Sequence, residues 1–188
     1  MIEKIMKAVK SSNKKRSRNI TIGAVIGFLL SCTAVMGTVD DNYLFIKDDA
    51  GIEFSTDGNA WDNTNPYEDV GNTWNQNTYI NNTILSVNGI SGNAYGVKLE
   101  LNSPNFKFIN NGSIIGRMSD ESSSSYGYGI YNSGTMKNIT NTGLISGTGS
   151  SGSGTGYGIN NESGTIGDIT NIGVISGTGS SGDSASGY

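Results

Sequence analysis

The sequence predicts an all-β fold: a single-stranded parallel β-helix (β-solenoid) with rungs of about 30 residues, preceded by a signal peptide and a cap. Three observations predict it. The first is a repeat. GYGIYNSGTMKNITNTGLISGTGSSGSGT begins at Gly127, GYGINNESGTIGDITNIGVISGTGSSGDSAS begins at Gly156, and a further copy starts at Gly187. The starts are 29 and 31 residues apart, and a fixed period of this size marks one supersecondary unit stacked on itself. The second is the apolar pattern. Ile130, Met136, Ile139, Leu144 and Ile145 recur as Ile159, Ile166, Ile169, Val174 and Ile175, in runs too short for a helical face. The third is the punctuation: each run closes on Asn-Gly, Ser-Gly, Thr-Gly or Ile-Gly, where glycine turns the chain at no steric cost.

The elements follow in chain order. Seven of the twelve basic residues lie between Lys4 and Arg18, and an apolar run extends from Ile20 to about Val35. A basic n-region before an apolar h-region reads as a secretory signal over 1–37. Cleavage after Gly37 is one processing route. Lipidation of Cys32 in the box Leu29-Leu30-Ser31-Cys32 is a second, and an uncleaved anchor a third. Cys32 is the only cysteine, so the exported part holds no internal disulfide and must be framed by backbone hydrogen bonds.

From Thr38 onward there are five basic and fifteen acidic residues, a net charge of about minus ten. So acidic a surface repels phosphates and excludes nucleic acid as a partner. The chain has no histidine, which removes His-based catalysis and ordinary zinc sites. No metal site and no cofactor are expected.

Residues 38–77 are the least repetitive and read as the N-terminal cap, which a first rung needs to cover its apolar end and open strand edge. Trp61 and Trp74 are large enough to plug that end, and a sugar-binding aromatic patch is the alternative use for them. The Asp and Glu residues here lack the spacing of an EF-hand or of a calcium-binding β-roll.

Residues 78–188 carry the repeats, first in degraded form. Ala94-Tyr95-Gly96-Val97 echoes the later Gly-Tyr-Gly-Ile. Stacked on one another, the units align three columns: Phe108, Ile139 and Ile169; Asn110, Asn141 and Asn171; Ile114, Ile145 and Ile175. The asparagine column is expected to form an amide ladder. Its role is structural rather than ligand-binding. Ser/Gly-rich outward loops are expected at 117–125, 148–155 and 178–186. About three rungs should form, right-handed by the general preference of parallel crossovers.

The N-terminal EKIMKAVKSSNKKRSRNITIGAVIGFLLSCTAVMG and the units INNxGxI and ITNxGxISG resemble the fusobacterial type V secretion (autotransporter) adhesin family, in its signal region and passenger repeats. The resemblance implies a β-helical passenger that passes the export machinery and a C-terminal outer-membrane barrel, and meets host-cell or bacterial surface ligands, protein or glycan. No barrel segment is recognisable here, so the chain reads as the N-terminal part of a longer product or a truncated gene. The expected location is the cell surface or outer membrane as part of a full-length protein, and otherwise the periplasm or medium.

The expected function is a non-catalytic structural stalk or adhesive module. Two alternatives remain. A polysaccharide-active β-helix enzyme would need carboxylates facing one groove on adjacent rungs, yet Lys137 becomes Gly167 and Asn138 becomes Asp168 in the next unit. A glycan-binding β-helix lipoprotein anchored at Cys32 is the other.

Overall fold

A computed structural model describes residues 38–40, 44–48, 51–89, 92–119, 125–149, 154–179 and 186–187, all within the compact unit Met36–Tyr188. The signal reading of 1–37, cleavage after Gly37 and lipidation at Cys32 lie outside the described residues, as do the centres of the three outward loops.

The strands run in turns. β1 (Thr38–Asp40) and β2 (Leu44–Asp48) are followed by an excursion containing β3 (Ile52–Ser55) and β4 (Thr73–Asn75), after which β5 (Thr78–Asn81) completes the turn. The next turn is β6 (Ile84–Gly89), β7 (Asn93–Glu100) and β8 (Asn102–Asn110). Then come β9 (Ser113–Met118), β10 (Tyr126–Asn132) and β11 (Thr135–Asn141), and after them β12 (Leu144–Gly149), β13 (Thr155–Asn161) and β14 (Thr165–Asn171). β15 (Val174–Thr178) and β16 (Ser186–Gly187) begin a further turn.

Apart from β3 and β4, each strand pairs in parallel with its counterpart one turn away, which makes three sheets ordered β1-β6-β9-β12-β15, β16-β13-β10-β7-β2-β3 and β14-β11-β8-β5-β4. The fold is a three-sided parallel β-solenoid. Three complete turns lie between Ile84 and Asn171. The parallel ladders also take in β1 and β2, which pair with β6 and β7. The part of 38–77 that stands outside the stack is therefore the excursion between β2 and β5.

Stacking explains why such short strands persist. No single turn buries enough apolar surface to hold itself together, but columns running through several turns do. Tyr79, Phe108, Ile139 and Ile169 form one column and Leu85, Ile114, Ile145 and Ile175 another, each in strict register. Phe108, Ile139, Ile114 and Ile145 are fully buried.

The excursion closes the other end. β3 returns antiparallel along β2, and β4 antiparallel to β5. Phe54 packs on Trp74 at 5.4 Å and on Tyr79 at 5.6 Å, while Trp74 lies 5.8 Å from Phe106. Trp61 does not plug the end. It lies beside Phe45 at 6.3 Å with the Lys47 ammonium 4.4 Å over its ring, and Phe54 takes the buried place instead. The carboxylates of Asp57 and Asp62 are used within their own turns: Asp57 accepts from the amides of Asn59 and Ala60, and Asp62 from the amide and hydroxyl of Thr64.

Candidate functional site

Two sets of side chains repeat through the stack, one facing inward and one outward. Asn81, Asn110 and Asn141 are fully buried at the corner where the chain leaves one sheet for the next. Each donates from Nδ2 to Oδ1 of the asparagine one turn on, at 2.8 Å for Asn81 to Asn110, for Asn110 to Asn141 and for Asn141 to Asn171. The same amides also reach backbone carbonyls, as Asn110 does at Leu144 (3.0 Å) and Asn141 at Val174 (3.0 Å). A parallel pair, Asn132 to Asn161, repeats the device at the next corner at 2.7 Å. The amides of Asn81, Asn110, Asn132 and Asn141 are buried and used within the stack.

Glycine makes the corner tight. A Cβ on Gly112 would stand 2.0 Å from the carbonyl oxygen of Thr83, and one on Gly143 1.9 Å from that of Gly112. Only a residue without a side chain lets the turns approach so closely.

The outward set lies on the sheet that contains β7, β10 and β13. Tyr95, Tyr128 and Tyr157 occupy one register position on those strands. Their rings stack face to face, 5.1 Å apart between Tyr95 and Tyr128 and 5.3 Å between Tyr128 and Tyr157, with planes within 7° and 11°. Tyr126 joins this row, 6.0 Å from Tyr128 and 6.4 Å from Tyr157. A second row runs alongside: Lys98, Tyr131 and Asn160 share the register position three residues on. Tyr131 stands nearly perpendicular to Tyr95 and Tyr128, 5.3 Å from each.

Between the rows runs an open groove of about 580 Å³, with Asn93 and Glu162 completing its lining. The Tyr131 hydroxyl donates to the Glu162 carboxylate, and that bond, with desolvation, pushes the phenol up to about 12. Burial raises the Tyr128 phenol further. The phenols of Tyr128 and Tyr131 are therefore held neutral well above neutral pH.

The sequence signal for this groove is the tyrosine of the Gly-Tyr-Gly-Ile echo, the same motif that marks the repeat. Strict alternation would place Tyr128 and Ile130 on one face. The strand departs from alternation there: Gly129, whose Cβ would meet the Ile145 side chain at 2.7 Å, and Ile130 are both buried in succession. Tyr131 and Tyr128 can then border one groove.

A second hollow of about 350 Å³ brings Asp48 and Glu100 to its rim from adjacent turns. Glu100 is engaged there by Lys98 at 2.5 Å. Among the described residues no three His, Cys, Asp or Glu side chains are grouped to hold a metal ion.

No protein-family model matches the chain, and no curated protein or solved structure is found similar to it. The fold rests on its own sheet topology, and function must be argued from the chemistry of these surfaces.

Proposed function

We propose that this chain is a non-catalytic passenger segment of a surface-exposed, autotransporter-like adhesin, serving as a structural stalk or adhesive module. The observation that carries the reading is the continuous three-sided ladder, a rigid all-β scaffold whose polar corner residues are satisfied internally. A solenoid of this kind grows by adding turns and holds distant surfaces apart. The basic-then-apolar N-terminal stretch supports export, and the acidic composition after Thr38 suits an exposed surface. In this reading the partners are the export machinery, an outer-membrane barrel encoded elsewhere or downstream, and surface ligands on host or bacterial cells.

The test is expression of the gene with an epitope after Tyr188, followed by protease shaving of intact cells and turnover assays on neutral and acidic polysaccharides. A surface-accessible epitope without turnover is expected when an outer-membrane barrel is joined downstream, and a periplasmic or released one without it. An epitope confined to the cytoplasm overturns the reading. A second reading, a polysaccharide-active protein, is favoured by one observation, the presence of Asp48 and Glu100 together in the lining of the second hollow. Turnover lost on Asp48→Asn would establish it in place of the stalk. Palmitate labelling abolished by Cys32→Ser would mark the lipoprotein route.

A further inference from the structure

We propose that the tyrosine groove on β7, β10 and β13 binds an extended, uncharged glycan chain lying along the solenoid axis, one sugar per turn. This rests on the adhesive half of the reading above and gives it a site and a ligand class. The first argument is periodicity. Register-matched residues on neighbouring strands recur about every 4.8 Å, close to the advance per sugar in an extended β-linked pyranose chain. The row Tyr95-Tyr128-Tyr157 therefore offers equivalent contacts to successive sugars, and Tyr131 and Asn160 in the row beside it add a different contact at each turn.

The second argument is chemistry. Phenol hydroxyls and the Asn160 amide both donate and accept, matching a ligand made of hydroxyl groups, while Asn93 Nδ2 donates to the Tyr95 hydroxyl at 3.0 Å. The rings are rigid and already packed on one another, so ordering them on binding costs little entropy. A volume of about 580 Å³ is the size of an ordinary small-ligand site.

Other ligands fit less well. A cation needs an open ring face, and here the facing sides of Tyr95, Tyr128 and Tyr157 cover one another while the Lys98 ammonium already lies 5.7 Å over the Tyr95 ring. An anionic polysaccharide would meet Glu162 and a surface of about minus ten net charge. An extended peptide alternates its side chains at a shorter repeat and seeks a sheet edge, which this groove is not.

The experiment is titration calorimetry of the purified full chain with cellohexaose, chitohexaose and hexagalacturonate, together with shorter neutral oligomers. At least one neutral hexamer should bind, with affinity that rises with length and levels once the oligomer spans the three turns of the groove. Tyr131→Ala should weaken binding about tenfold at temperatures where the variant remains folded, because one ring and one hydroxyl are lost from a half-exposed position. The proposal is overturned if neither neutral hexamer binds, if hexagalacturonate binds as well as they do, or if Tyr131→Ala changes nothing. Concentration-dependent self-association relieved by Tyr131→Ala, in place of glycan binding, would assign the groove to a second copy. The assay uses purified protein, so failed export leaves it intact, and failed binding leaves export and the stalk standing.

Discussion

The asparagine corner and the tyrosine groove are both ladders, built from the same turns, but they spend their polar groups in opposite ways. At the corner each turn supplies the same residue, and Asn81, Asn110, Asn141 and Asn171 hand one amide proton to the next, with backbone carbonyls taking another. In the groove the first row repeats, Tyr95-Tyr128-Tyr157, while the second changes at every turn, Lys98 then Tyr131 then Asn160. Identity at each turn with internal satisfaction is what a scaffold needs. A row that varies from turn to turn along an open groove is under no such requirement, and it is where recognition fits.

The sharpest way to break that comparison is to put a charge in an inner column. Ile145→Asp should destabilise the chain by about 4 kcal/mol or more, since a carboxylate would sit unpaired among Ile114, Ile130 and their neighbours in the core. Denaturant melts measure it, and a loss below about 1 kcal/mol would mean that the column is not sealed.

The next effect is positional. Asn141→Ala removes an amide that is bonded on both sides and leaves buried partners without a donor, at a cost of about 2 kcal/mol. Asn171→Ala, on the exposed last turn of the ladder, should cost less than about half as much. Equal losses in the two melts would show that burial does not set the value of the ladder.

A smaller effect appears in alkali. The phenols of Tyr67, Tyr79 and Tyr128 are raised by burial, and that of Tyr131 is raised to about 12, first through its bond to Glu162. Folded values above the ordinary value of about 10 mean that the neutral phenols stabilise the fold fully below that pH. This stability is lost as the pH climbs through about 12. Thermal melts across this window, followed with tyrosinate absorbance, should fall together, and late ionisation should shift earlier in Tyr131→Phe only by the share of that one group.

Much of this architecture was legible in the residues. Ile139, Asn141, Gly143 and Ile145 recur at Ile169, Asn171, Gly173 and Ile175, and the corner glycines fix where each strand stops. Parallel stacking forces like residues into register, so a repeat in sequence becomes a column in space. The excursion between β2 and β5 was less legible, because no repeat constrains it: Phe54, not Trp61, fills the buried end, and a network through Asn65, Asn72 and the Tyr79 hydroxyl fastens it. The groove was hidden for another reason. Period-2 reading assigns Tyr128 and Ile130 to one face, and only the buried succession of Gly129 and Ile130 separates them.

The most direct measurement pairs one variant from each ladder. Asn141→Ala and Tyr131→Ala are made in the full chain, and each is scored for stability by denaturant melt and for affinity toward the neutral hexasaccharide under conditions where the protein remains folded. A double dissociation is expected: Asn141→Ala loses about 2 kcal/mol of stability and keeps its affinity, while Tyr131→Ala, which gives up its ring contacts with Tyr95 and Tyr128, loses about 1 kcal/mol of stability and about tenfold in affinity. An Asn141→Ala that also loses affinity, or a Tyr131→Ala that loses stability alone, would contradict the separation of scaffold from site.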